Sequence, residues 1–294
     1  MQIGTMMQKT DAGSRYAKKI YSRLKKPMNA KVLDLEGKEI RQMELPIQFG
    51  TELRGDVVRR AFLSERSMLL QPKGAYPMAG LQTTAEYYGR RHSWRQIINT
   101  GRSRLPREKI PKGRSGRVLR VPHATKGRRA HPPKPQKRII ERINIKEKYF
   151  AIRSAIAATI NAELVAGRGH IVDGATLPLI VDNAIESVKK AKEIRSILVK
   201  LGVGKDMERA AERRRMRSGR ARLRKGGYLT PRSVLIVVGS DNGVWKAARN
   251  LPGVDVCKVE ELTAELLAPG GEMGRLTLWT ENAVQKLAKE NLYM

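Results

Sequence analysis

Between Gln71 and Arg138 a proline or glycine interrupts the chain every few residues, and no sustained helical or alternating apolar pattern survives. The breaks are Pro72, Pro77, Pro106, Pro111, Pro122, Pro132, Pro133 and Pro135, interleaved with Gly74, Gly80, Gly89, Gly101, Gly113, Gly116 and Gly127. Proline removes a backbone donor and glycine raises the entropy of ordering, so neither a long helix nor a central strand passes through them. Loops of this length are rare inside compact domains, where they are functional or disordered. At ~1–2 kcal/mol per residue, fixing this backbone costs about 70–130 kcal/mol. The scattered apolar residues cannot offset that by packing on one another. An external surface must order the segment.

Charge says which surface. The chain of 294 residues sets 59 Lys and Arg against 28 Asp and Glu, a formal +31. Residues 90–138 hold seventeen basic side chains and one acidic, residues 1–31 eight and one, and residues 205–232 eleven and three. The intervening stretches nearly cancel. The sequence therefore describes a nearly neutral folded body with three basic extensions, a partition that a uniformly solvated surface would not produce. A polyanion is the expected partner, and the imbalance argues against an enzyme of small neutral metabolites.

Guanidinium forks bind phosphates bidentately. The candidate RNA contacts of the loop are Arg90, Arg91, Arg95, Arg102, Arg104, Arg107, Arg114, Arg117, Arg120, Arg128 and Arg129, with Lys126, His131 and Lys134. The third basic segment adds Arg213, Arg214, Arg215, Arg217 and Arg220. Tyr76, Tyr87, Tyr88 and Trp94 lie in or beside the basic run, offering rings on which unpaired bases can stack. Arginine interleaved with aromatics points to folded RNA rather than duplex DNA.

Around this segment, short apolar runs alternate with helical periodicity. Strands are expected at Val32–Leu35, Leu177–Val181, Val234–Val238, Val254–Val256 and Leu276–Trp279. The unbroken apolar run Val234–Val238 implies burial on both faces and a central place in the sheet. Helices are expected over Gly55–Leu70, after a capping box at Asn144 and Glu147, after a similar cap at Asn183 and Glu186, and after Thr280. The fold class is α/β: a parallel-rich sheet with flanking helices, plus a long basic extended internal loop. The expected division is a basic extension over 1–27, a body of 28–70 with 139–294, and the inserted loop 71–138.

No catalytic constellation emerges. Gly202-Val203-Gly204-Lys205 lacks the first glycine of a phosphate loop, where Val199 stands, and its hydroxyl residue, where Asp206 stands. The turn Gly239–Gly243 lacks dinucleotide spacing. His92, His123, His131 and His170 have no helical partner or neighbouring thiol, so each reads as a stacking or hydrogen-bonding residue on RNA. Asp34 with Glu36, and Glu260 with Glu261, read as solvated element ends. The single Cys257 excludes disulfide scaffolds and multi-thiolate zinc sites and fits a reducing compartment. No apolar run approaches the 18 or so residues of a membrane span, and no secretory core opens the chain. The expectation is a cytoplasmic protein without cofactor or metal.

Several blocks then carry a family resemblance. Ala30–Gly37 (AKVLDLEG), Ala79–Tyr87 (AGLQTTAEY), Val121–Lys134 (VPHATKGRRAHPPK), Ala151–Thr159 (AIRSAIAAT), Ala247–Val254 (AARNLPGV) and Leu267–Thr280 (LAPGGEMGRLTLWT) together resemble the universal large-subunit ribosomal protein four family, in its archaeal and eukaryotic form. Trp94-Arg95-Gln96 with Thr100-Gly101-Arg102 also resembles the bacterial branch. The resemblance implies a body on the outer surface of the large subunit and a loop threading through rRNA to the polypeptide exit tunnel. It further implies early, primary rRNA binding during assembly, with neighbouring large-subunit proteins and the nascent polypeptide as partners. The tunnel tip would then be Arg91, His92, Trp94 and Arg95. Two features depart from the family pattern: residues 1–27, which precede its usual start, and a longer Arg91–Asn99. The first 27 residues read as a basic rRNA-binding arm, a misassigned start or a targeting peptide. The competing classes are an RNA-modifying enzyme, which calls for a glycine-rich phosphate turn, and a DNA architectural protein, which calls for a recognition helix.

Overall fold

The computed structural model describes residues 28–294, except for 88, 90–97, 111–114, 173, 175, 224 and 225. The chain forms two compact units: a body that runs to Ser67 and resumes at Glu141, and the segment Met68–Ile140. The body opens with β1 (Asn29–Leu33), β2 (Glu39–Glu44) and α1 (Gly55–Met68). The inserted unit carries β3 (Arg107–Lys109) and β4 (Ser115–Val118). The body then continues through α2 (Ile145–Ala158), α3 (Ala162–Gly167), β5 (Leu179–Val181), α4 (Ala191–Lys200) and α5 (Gly204–Glu212). A hairpin of β6 (Arg215–Met216) and β7 (Tyr228–Leu229) precedes β8 (Leu235–Val238) and α6 (Val244–Ala248). Last come β9 (Asp255–Lys258), α7 (Ala264–Leu267), β10 (Thr277–Thr280) and α8 (Glu281–Lys289).

The body sheet has the order β2-β1-β5-β10-β8-β9. Every pairing is parallel except that of β1 with β2. This is the parallel-rich α/β sheet with flanking helices that the apolar runs imply. All four residues of β8 and of β10 are buried, as covered faces require. Successive side chains point to opposite faces, so the strands divide between two cores. Ile180, Leu235, Val237 and Trp279 join Val58, Ala61, Ile152, Ile156, Val284 and Leu287 from α1, α2 and α8. Leu179, Val181, Ile236, Val238 and Leu278 join Ile194, Leu198, Met207, Val244 and Ala248 from α4, α5 and α6. On the first face Phe49 meets Trp279 edge to face, with ring centroids 5.2 Å apart.

Three local expectations change, and one strand lies where none was expected. β1 ends at Leu33 because Asp34 turns the chain: its carboxylate accepts from the Leu35 N–H at 2.7 Å, and Gly37 takes φ +84°. β2 escapes a hydrophobic pattern because EIRQME is an exposed edge strand. Asn144 precedes α2, but its side chain makes no cap hydrogen bond. Asn183–Ser187 is a 3-10 turn, and the helix starts only at Ala191. Thr280 caps α8 as expected, accepting from the Ala283 N–H at 3.2 Å.

Candidate nucleic-acid interface

Within Met68–Ile140 the outgoing and returning chains run side by side. The Ala75 N–H donates to the Pro133 carbonyl at 3.0 Å, and Glu86 and Arg107 exchange both backbone bonds at 3.2 Å. β4 then pairs antiparallel with β3. Gly80 and Gly127 make the close approach possible. A Cβ on Gly80, at φ +75°, would stand 2.8 Å from Arg128 Cα, and one on Gly127 would stand 2.0 Å from the Val121 carbonyl oxygen. The segment thus has local backbone pairing that its irregular sequence does not announce. Apolar burial is nearly missing: among the unit's described residues, Ala85 is the one apolar side chain fully withdrawn from solvent.

Most of the candidate contacts described in this unit face solvent. Arg102, Arg104, Arg117, Lys126, Arg128, Arg129, His131 and Lys134 are exposed. Arg107 is half-buried, and its guanidinium donates to Ser103 Oγ at 2.8 Å and to the Gly116 carbonyl at 3.4 Å. Arg120, at φ +74°, donates to the Ala85 carbonyl at 3.2 Å. These two arginines hold the loop's own backbone together. Arg90, Arg91, His92, Trp94, Arg95 and Arg114, and residues 1–27, lie outside the described residues. The unit's two carboxylates, Glu86 and Glu108, stand against eighteen basic side chains, so its charge cannot be answered internally.

The third basic segment divides in two. Its first part is α5, packed into the body through Met207 and Ala210, which corrects its reading as an extension throughout. Its second part is the β6–β7 hairpin and the 3-10 turn Gly219–Leu223. Arg213, Arg214, Arg215 and Arg220 are exposed there. Arg217 is half-buried: its Nε donates to the Tyr228 carbonyl at 3.1 Å and its N–H to the Gly227 carbonyl at 2.8 Å. The Arg214 guanidinium carbon lies 4.5 Å from the Tyr228 ring centroid. Tyr228 was not among the expected site residues, since a tyrosine after two glycines carries no pattern of its own.

Basic residues of the body behave differently. On α1, Arg59, Arg60 and Arg66 pair with Glu272, Glu147 and Glu265. Arg275 is buried; it donates to the Ser233 and Leu266 carbonyls and to Asp255 Oδ2 at 2.5 Å. Burial pulls its pKa down, against the pull of Asp255. His170 is corrected here: it is buried in the body, with Nδ1 3.1 Å from Asp206 Oδ2, and does not face RNA. Asp206 also accepts from Ser233 Oγ at 2.6 Å, from Arg209 Nε at 2.9 Å and from the Ile171 N–H at 3.1 Å. Burial pushes its pKa up, but the donors from His170, Ser233 and Arg209 outweigh it and hold the carboxyl well below the carboxylate range. Glu186, read from sequence as a cap residue, is a buried acceptor for the Gly239 N–H and the Ser240 and Thr280 hydroxyls at 2.7–2.8 Å. These two buried carboxylates are bound into the fold. Among the described residues no group of three or more His, Cys, Asp and Glu is placed to hold a metal, and no helix is long and apolar enough to cross a membrane.

Comparison with known proteins gives consistent matches. The profile of the Ribosomal protein L4/L1 family matches residues 43–290. Large ribosomal subunit protein uL4 of Archaeoglobus fulgidus is 47% identical over 262 residues, covering 89% of this chain and 99% of the relative. Its counterpart in Methanocaldococcus jannaschii is 45% identical over 260 residues, covering 88% and 98%. That of Methanococcus vannielii is 46% identical over 261 residues, again covering 88% and 98%. Together these matches define the class, a structural and non-enzymatic component of the large ribosomal subunit. Within that class, the chain belongs to the ribosomal protein L4/L1 family.

Proposed function

We propose that this chain is a primary binder of large-subunit rRNA that aids early subunit assembly and lends its internal loop to the polypeptide exit tunnel wall. The carrying observation is the contrast between the two units. Arginines on the body's α1 pair with carboxylates, whereas the 68–140 unit holds eighteen basic side chains against two acidic ones. Phosphates are the counter-charges that a ribosomal site supplies in quantity. In this reading the body, 28–70 with 139–294, positions the loop 71–138, and residues 1–27 add a basic arm. Arg102, Arg104, Arg117, Lys126, Arg128, Arg129, His131 and Lys134 contact rRNA, together with Arg213, Arg214, Arg215, Arg217 and Arg220. Arg90, Arg91, Arg95 and Arg114 join them on sequence grounds. Arg107 and Arg120 shape the loop with one part of their forks and meet RNA with the other.

The tip is assigned to Arg91, His92, Trp94 and Arg95. Arms of more than twenty residues at ~3.3 Å each span several tens of ångströms, enough to cross a thick layer of RNA. Deleting residues 91–99 is expected to leave incorporation into large subunits intact on a sucrose gradient. In the undeleted chain, a crosslinker at position 94 or 95 is expected to capture a stalled nascent chain. Capture from a body position and none from the tip would place the tip elsewhere.

A further inference from the structure

Building on the rRNA-binding reading, we propose that the β6–β7 hairpin is a base-stacking site in which Arg214 and Tyr228 take one unpaired RNA nucleobase. Tyr228 is 46% exposed, although its ring already carries a guanidinium at 4.5 Å. The backbone that carries the ring is fixed. Tyr228 pairs with Met216 across the hairpin, and its carbonyl is fixed by Arg217 Nε at 3.1 Å. Residues 213–232 contain no Asp or Glu, so no carboxylate of the hairpin answers Arg214. A guanidinium lying on a ring uses its flat face and keeps its N–H edge for an anion. A nucleotide offers both partners at once, a π face for the stack and a phosphate for the edge. An acidic peptide would meet the charge and leave the stack unused. In a duplex the base faces are already covered by their neighbours, so the site selects unpaired bases.

The test uses the full chain, a single-stranded oligouridylate and a fully paired RNA duplex with the same number of phosphates. Ultraviolet irradiation and peptide mass spectrometry read where uridine becomes attached. The expected result is an adduct at Tyr228 from the single strand and a yield roughly tenfold lower from the duplex. Arg214→Lys keeps the charge and removes the flat cation, so its Tyr228 adduct should fall severalfold while adducts in the 68–140 unit persist. Tyr228→Phe, which keeps the ring, should keep the adduct. Equal adducts from duplex and single strand, or an unchanged yield in Arg214→Lys, would overturn the stacking site. So would RNA attachment in the 68–140 unit with none at position 228, a result that leaves the rRNA reading standing. Failure of both RNAs to bind anywhere on the chain would overturn the two readings together.

Discussion

Asp206 has no solvent exposure, yet it keeps its charge because four donors converge on one carboxylate. Its proton is held less tightly in the folded chain than in the unfolded one, so acid unfolding takes a proton up. The stability it contributes is fully present above about pH 4 and is lost as pH falls below the ordinary carboxylate pKa of about 3.9. Asp206→Asn takes the anion from Arg209 and leaves a neutral amide beside His170 and Ser233, and should cost about 3–5 kcal/mol in urea denaturation at neutral pH. The variant's stability should also depend less on pH in the acid range; an acid profile matching the parent would assign that dependence to other groups. Cys257 is the opposite case. Burial, then Glu261 and Asp255, push its thiol up to about 12. Thiolate is the reactive form, so iodoacetamide at about pH 8 should label Cys257 only at the rate of unfolding. Rapid stoichiometric labelling of the folded protein would contradict this.

Among the elements, two helix starts look alike in sequence and differ in structure. The Thr280 hydroxyl caps α8, donates to Glu186 Oε1 at 2.7 Å and accepts from the Gly239 N–H at 3.3 Å. It thereby ties the ends of β10 and β8 to the helix that follows. The Asn144 side chain makes no such bond at the start of α2. Thr280→Ala should therefore destabilise by about 1–2 kcal/mol, and Asn144→Ala by no more than about 0.5 kcal/mol. Urea denaturation of the two variants decides the matter; equal losses would mean that the cap geometry is wrong. α2 instead owes its place to burial, since every residue from Ala151 to Ala158 is withdrawn from solvent.

For the molecule as a whole, the two units differ in what holds them. The body has apolar cores on both faces of its sheet, whereas the other unit has Ala85 and short backbone pairings. Amide exchange on RNA-free protein should show β8 and β10 protected to the level of global unfolding. The amides of Ala75, Glu86 and Arg107 should exchange orders of magnitude faster, because their bonds open without exposing a core. Equal protection of both groups would show that the loop is ordered without RNA. Affinity for large-subunit rRNA should fall steeply with salt. With about ten phosphates neutralised, the slope of log K against log[salt] is roughly −7 to −9. Replacing Arg213, Arg214, Arg215 and Arg217 with Ala should flatten it by about 3. A slope near zero would remove phosphate contact from the account.

The mostly parallel sheet was legible in the chain because an apolar run such as VLIVV records burial locally, residue after residue. The segmental charge was legible for the same reason, since like charges brought close in sequence stay close in any fold. Thr280 could be read as a cap because its partner is three residues away. What escaped depends on partners that the chain brings together from afar. His170 reads as one more histidine until Asp206 and Arg209 meet its ring. Glu186 reads as a cap until Gly239 and Thr280 reach it from the ends of β8 and β10. β2 has no apolar signal because an exposed edge strand buries little. The loop's arginines are equivalent in sequence, and only the folded backbone spends Arg107 and Arg120 on carbonyls. The sequence by itself determined composition-scale properties, namely where charge gathers and which runs must be buried. The tertiary structure decided the use of each polar group, because a hydrogen bond needs a partner within about 3 Å and distance along the chain does not say which groups will meet.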